Sequence, residues 1–265
     1  MDLIFLKLGG SLITDKHTPH TAHPETIARL AEEIAAARRD QPSTLLVLGH
    51  GSGSFGHVPA KIHKTRQGVQ SPEGWRGFVE VWREAAALNR LVMDALHQAG
   101  LPAVAFPPSG GVTTHGGQIT RWNLSPLLAA LKARLLPTVY GDVVFDETLG
   151  GTILSTEDLF VHLARHIKPQ RILLAGLDEG VWEDYPVCSR LIPEITPQNW
   201  PQIASSLRSS AAVDVTGGMS SKVCEMLTLI SEFPELEVQI FSGQHPGGLR
   251  AALLGERPGT RLYAT

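Results

Sequence analysis

Lysine is scarce in this chain: of 23 basic residues only seven are lysine, at positions 7, 16, 61, 64, 132, 168 and 222, and the rest are arginine. Cysteine is scarcer still. Cys188 and Cys224 stand alone, without CxxC spacing, which excludes a disulfide framework and a zinc knuckle and makes a reducing cytoplasm the expected compartment. The chain has no basic excess either, because 26 acidic residues against 23 basic ones leave a net charge of −3, and a general nucleic-acid binder needs a basic surface. No apolar run approaches the roughly 18 residues that span a bilayer, so no membrane partner is expected. Met1-Asp2 leads at once into a strand-like run, with no basic segment or small-residue cleavage site, and a secretory leader is not expected. The eleven histidines are scattered, and no metal ligands are assigned.

What is present is globular: 265 residues, 43% hydrophobic and 18% charged. At about 150 residues per domain, this length admits one large α/β unit or two small ones. Short aliphatic runs alternate with helical stretches. Strands are expected at 2–8, 44–49, 102–106, 137–144, 152–154, 171–177, 236–242 and 260–264. Helices are expected at 24–39, 73–99, 124–134, 156–166, 198–209, 220–230 and 247–254. This alternation implies a single α/β unit over 1–265, built on one mostly parallel, open sheet covered on both faces. In such sheets ligands sit beyond the carboxyl ends of the strands, which is where the glycine motifs fall.

Three motifs carry chemistry. Lys7-Leu8-Gly9-Gly10-Ser11 ends the first strand, where paired glycines let backbone N–H groups approach an anion and Lys7 adds charge. A lysine closing an apolar strand must have its charge answered by something. Gly49-His50-Gly51-Ser52-Gly53-Ser54-Phe55-Gly56-His57 reads as a phosphate-cradling loop, and it matches neither the P-loop nor a dinucleotide fingerprint. Asp214-Val215-Thr216-Gly217-Gly218-Met219-Ser220-Ser221-Lys222 again sets Gly-Gly before a helix, with a lysine about one turn in. Glu157 and Asp158 open a helix and suit an acceptor, Mg²⁺ or the helix dipole equally. No serine or cysteine nucleophile shows a partner base.

KLGGS, the second lysine in Thr14-Asp15-Lys16, HGSGSFGH and DVTGGMSSK resemble the amino-acid kinase superfamily, and His57 narrows the resemblance to its phosphate-accepting branch, the isopentenyl phosphate kinase family. Tyr140-Gly141-Asp142-Val143-Val144-Phe145-Asp146 and the closing Leu254-Gly255 extend it nearly end to end. The resemblance implies a three-layer αβα sandwich, an acceptor-binding half over about 1–165 and a nucleotide-binding half over about 166–265. It implies ATP with Mg²⁺, isopentenyl phosphate as acceptor, a homodimer, and a place in mevalonate-type isoprene biosynthesis. By the same resemblance Lys7, Lys16, His57 and Lys222 are catalytic. ATP contacts fall to Lys7, Gly9, Gly10, Ser11, Ser52, Gly176, Asp214, Gly217, Gly218 and Lys222, and acceptor contacts to Gly51, Gly56, His57, Ser155 and Glu157. The family's usual Ser-Gly-Asp-Asp is replaced here by Ser155-Thr156-Glu157-Asp158, and its Thr-Asp-Val-Asp-Gly-Val by Gly176-Leu177-Asp178-Glu179-Gly180-Val181.

An apolar acceptor tail needs a pocket, and the helix after the glycine loop carries Trp75, Phe78, Val79, Trp82 and Ala86 at helical spacing. Phe78 and Trp82 are the pocket candidates, although such a stripe is also ordinary core. Two alternatives stay open at this point: a fosfomycin-type phosphonate kinase, and a non-catalytic nucleotide-binding protein of the same fold.

Overall fold

Every residue of Leu3–Leu8 (β1) is buried, as a continuous apolar run on both faces of a central strand requires. The computed structural model describes residues 2–209 and 217–265. After β1 come the short helix Gly10–Ile13 (α1), the helix Pro24–Asp40 (α2), and the strand Leu45–His50 (β2). Gly53–His63 (α3) and Pro72–Gln98 (α4) are helical, and Ala103–Ala105 (β3), Val112–His115 (β4) and Gln118–Trp122 (β5) are strands. The helix Ser125–Lys132 (α5) leads to strands Leu136–Tyr140 (β6), Asp142–Asp146 (β7) and Gly150–Leu154 (β8), then the helix Thr156–Ile167 (α6). Strand Arg171–Gly176 (β9) precedes the short strands Val181–Trp182 (β10), Leu191–Ile192 (β11) and Glu194–Ile195 (β12). Helices Trp200–Ser209 (α7) and Gly217–Glu232 (α8), strand Glu237–Ser242 (β13), helix Gly248–Leu254 (α9) and strand Thr260–Leu262 (β14) complete the chain.

The large sheet runs β12-β14-β13-β9-β1-β2-β6-β3 and is parallel except where β14 meets β13. Alternation along β1 sends Leu3 and Phe5 into one apolar layer with α5, α6 and α8, and Ile4, Leu6 and Leu8 into another with α2, α4 and α9. The result is a three-layer αβα sandwich. The strand order reverses at β1, whose neighbours are β2 on one side and β9 on the other. Loops leaving the carboxyl ends of these strands diverge there and open a crevice.

Three local readings need correction. The run 137–144 is two strands rather than one: β6 ends the large sheet's share at Tyr140, and β7 begins a separate sheet ordered β5-β4-β7-β8. Gly141 makes the break. The glycine stretch is not all loop, because α3 begins at Gly53 and carries His57 in its second turn, continuing to His63 although Pro59 withholds one ladder N–H. The β4–β5 hairpin escaped the pattern reading although its signal is present. Gly116 and Gly117 both take positive φ, 57° and 81°, as a two-residue type I′ turn demands.

Phe160 on α6 is fully buried and packs on Phe5 with ring centroids 5.0 Å apart. Gly49 makes room for it, since a Cβ there would lie 2.7 Å from the Phe160 ring. Phe160→Ala is expected to lower unfolding stability by about 3–5 kcal/mol in urea titrations, the range for deleting a well-packed core aromatic. A loss under about 1 kcal/mol would mean that this layer does not anchor α6 to the sheet.

Candidate functional site

The loops after β1, β2 and β9 surround a cleft of about 630 Å³. Lys7, Gly9, Gly10, Ser11 and Lys16 line it from the first loop, and Gly51, Ser52, Gly56 and His57 from the second and the start of α3. Ser155 and Glu157 reach it from the start of α6, Gly176 from the end of β9, and Gly218 and Lys222 from α8. Gly217 opens α8. Asp214 lies outside the described residues.

Glycine is needed here because backbones touch. A Cβ on Gly10 would sit 2.6 Å from the Gly53 nitrogen, and one on Gly51 would sit 2.9 Å from the Gly10 nitrogen. The first two loops therefore close on each other with no side chain between them. The Gly9 amide is already used, donating to Ala175 O at 2.8 Å, so it takes no part in an anion nest. The amides of Gly10 and Ser11 open α1, where first-turn N–H groups have no partner inside the helix.

The charge of Lys7 is answered by Glu157. Lys7 is 8% exposed and Glu157 6%, and the Lys7 ammonium donates directly to Glu157 Oε1. The Lys222 Nζ approaches the same oxygen at 3.8 Å. Burial pulls the Lys7 pKa below its ordinary value, with Lys222 adding to that pull while Glu157 opposes it. Burial alone would raise the Glu157 carboxyl, but Lys7 and Lys222 together hold it below the usual range, so it stays ionised. The neighbouring Asp158 does a different job. It is the third residue of a capping box, accepting from Ser155 N at 2.7 Å while Ser155 Oγ accepts from Asp158 N at 3.1 Å. That box fixes the first turn of α6 and aims Glu157 at the lysines.

His57 lines the same cleft from the second turn of α3. Its pKa is lowered first by burial among the cleft walls and then by the positive charge of Lys7, with Arg66 and Lys222 contributing and Glu157 opposing. The imidazole is thereby kept neutral near pH 7. The same lining includes the apolar side chains Ala60, Val81 and Ile153.

Phe78 and Trp82 are not brought into this lining. Phe78 is buried behind it in a cluster with Val69, Val81 and Val143, and Trp82 is 45% exposed. The reason is helix phase. The buried stripe of α4 runs Phe78, Val81, Ala85, Leu88, Val92, and a residue one position past Val81 is turned about 100° away from it.

Asp142, Arg66 and Val81 also line the cleft and were not picked out as site residues from the pattern. Asp142 stood inside the YGDVVFD run, where no spacing rule set it apart. It is 1% exposed, its Oδ1 accepts from Val143 N at 2.8 Å, and its Oδ2 has no partner. Burial raises its pKa to about 7 against the lowering pull of hydrogen bonds from Ser109 and Val143. Tyr140 next to it is pushed up by burial and by the Asp142 charge. No group of three or more potential ligands for a metal ion occurs among the described residues.

Comparison with known proteins agrees with this geometry. The model of the amino acid kinase family matches residues 2–242. The chain is 34% identical over 271 residues to the isopentenyl phosphate kinase of Methanothermobacter thermautotrophicus, covering 98% of each sequence. It is 35% identical over 268 residues to that of Haloferax volcanii, with 98% of each covered. A solved isopentenyl phosphate kinase structure superposes with a TM-score of 0.83 at 31% identity, over 98% of this chain and 99% of that one.

The raised Asp142 carboxyl makes stability depend on pH. Between the ordinary carboxylate range and about 7, the folded chain holds a proton on Asp142 that the unfolded chain has released. This contribution is complete below about pH 4 and is lost as pH rises through about 7. Relative to Asp142→Asn, the wild type is expected to lose on the order of 3 kcal/mol between pH 4 and pH 7.5 in parallel denaturant titrations. Equal slopes for the two proteins would remove Asp142 as a buried, protonated group.

Proposed function

This chain belongs to the amino acid kinase family and, within it, to the isopentenyl phosphate kinases, and from that premise we propose how its residues divide the work. The reaction is transfer of the γ-phosphoryl group of ATP to isopentenyl phosphate, giving isopentenyl diphosphate and ADP. The acceptor is a phosphate monoester with a second pKa near about 6, already ionised at neutral pH, so no general base is required. The task is to bring two polyanions together by positioning and charge neutralisation.

Lys7 and Lys222 converge on one carboxylate oxygen in the cleft that His57 also lines, and this arrangement carries the reading. With Glu157 between them the two ammonium groups keep a fixed separation, and both retain free N–H donors for the transferring phosphoryl group. Glu157 is thus a holder of lysines. A carboxylate would repel the acceptor, so Glu157 is not itself an acceptor contact. Lys16 stabilises charge developing in the transition state. Neutral His57 donates one N–H to the acceptor phosphate, which the Gly51, Ser52 and Gly56 backbone approaches without side-chain hindrance.

The tail of the acceptor lies against Ala60, Val81 and Ile153, an apolar wall that suits an isopentenyl chain better than a small polar phosphonate. The nucleotide takes the other end, with the Gly10 and Ser11 amides at its phosphates, and Gly9, Gly176, Gly217 and Gly218 nearby. This division keeps the acceptor half at about 1–165 and the nucleotide half at about 166–265. Mg²⁺ would come with ATP and would supply neutralisation of the phosphate charge. The proposal extends to a cytoplasmic homodimer acting in mevalonate-type isoprene biosynthesis. The free thiols Cys188 and Cys224 suit a reducing compartment.

Coupled detection of ADP with Mg²⁺–ATP is expected to show turnover of isopentenyl phosphate with a higher kcat/KM than fosfomycin. The reverse preference would overturn the assignment of acceptor. In the same assay His57→Ala is expected to lose about 10- to 100-fold in kcat/KM while remaining folded by circular dichroism, as loss of a hydrogen bond to a charged group predicts. Lys222→Arg should be damaging too, because a planar guanidinium does not replace a compact ammonium held against Glu157. Wild-type kcat/KM in either variant would remove that residue from the mechanism.

A further inference from the structure

Arg66 sits on a single 3-10 turn, Thr65–Gln67, that follows α3 after the left-handed residue Lys64. Its backbone is firmly held. Thr152 Oγ1 donates to Arg66 O at 3.0 Å, Gly68 N donates to Thr65 O at 3.2 Å, and Thr65 itself is fully buried. The side chain is not held in the same way. It lines the cleft, and its hydrogen bond to Asp158 Oδ2 is long, at 3.4 Å. That oxygen already receives Ser155 N and Ser155 Oγ, each at 2.7 Å. Asp158 therefore stays satisfied if Arg66 leaves it, and most of the guanidinium's five N–H donors remain free for a ligand.

The acceptor end of the cleft needs such a group. The phosphate of the acceptor arrives as a dianion, yet Lys7 and Lys222 are tied to Glu157 and serve the transferring phosphoryl group. His57 offers a hydrogen bond but little charge, because burial and the surrounding cations, Arg66 among them, keep its ring neutral. Arg66 is close enough to be one of those cations, and its guanidinium brings charge as well as donors. Resting on the function assigned above, we propose that Arg66 is a second ligand of the acceptor phosphate, swinging from Asp158 to pair its guanidinium fork with the phosphate oxygens facing His57. His57 then orients the acceptor while Arg66 neutralises it. A guanidinium matches two phosphate oxygens at once, which sets the phosphate's rotation as well as its position for in-line attack.

The test is steady-state kinetics of wild type, Arg66→Ala and Arg66→Lys with isopentenyl phosphate and Mg²⁺–ATP varied independently, alongside Tm. Arg66→Ala is expected to raise KM for isopentenyl phosphate about 10- to 100-fold, as loss of a charge-assisted contact implies. KM for ATP should stay within about twofold and Tm within a few degrees, and Arg66→Lys should recover part of the loss in acceptor KM by restoring charge without the fork. An unchanged acceptor KM in Arg66→Ala overturns the proposal, and so does a parallel rise in both KM values with a fall in Tm, which marks a structural role. If the wild type itself fails to turn over isopentenyl phosphate, the assigned function fails instead, and the two failures are distinguished by that control.

Discussion

The contact between the Lys7 ammonium and the Glu157 carboxylate, with Lys222 closing from the other side, is the constraint around which this cleft is organised. Lys7 is placed by β1, Glu157 by the capped first turn of α6, and Lys222 by α8, so three elements remote in sequence must meet at one oxygen. Two cations and one anion leave the group with a net positive charge inside a protein whose total is −3. Taking charges out of water costs several kcal/mol per ion, and the triad is tolerable because each member answers another. In the proposed reading, that surplus positive charge is what a bound polyphosphate would neutralise.

The backbone around it follows from the same demand. Phosphates must come close to main-chain amides, and the Gly10–Gly51 contact brings the loops of β1 and β2 together without a Cβ between them. Gly49 serves the layer below, letting Phe160 of α6 press against the sheet and so fixing the helix that carries Glu157. Packing in the core and electrostatics in the cleft are joined through α6. His57 and Ala60 both reach the cleft from α3, so in the proposed reading the polar hold on the acceptor phosphate and the apolar hold on its tail would come from one helix.

Much of this was legible in the chain itself. A lysine ending the apolar run LIFLKL had to have a partner, and the glycine motifs after the strands marked the carboxyl ends beyond which a ligand sits. The partner's identity was harder to read, because Glu157 and Asp158 are adjacent carboxylates that only the capping geometry separates into a lysine holder and a helix cap. Of the α4 stripe Val81 lines the cleft, whereas Trp82 is turned outward and Phe78 lies in the cluster with Val81. Glycine also hid structure. Gly53 and Gly56 read as loop residues, yet they begin a helix, since small residues there let α3 pack against Thr14 and Ser52. Arg66 and Asp142 carry no local pattern at all. Their place depends on β7 and β8 folding over the cleft as a separate sheet, which begins only because the chain breaks at Gly141.

The proposed role of Glu157 is therefore to act through two lysines rather than on substrate directly. Its most direct test is kcat for isopentenyl phosphate at saturating Mg²⁺–ATP in Glu157→Gln, with folding checked by circular dichroism at the assay temperature. Gln keeps the shape and an acceptor oxygen but removes the charge that holds Lys7 and Lys222 together. The expected result is a folded protein with kcat reduced by about 100-fold or more, the scale of losing a preorganised electrostatic element. A folded Glu157→Gln enzyme with kcat within about threefold of wild type would contradict it.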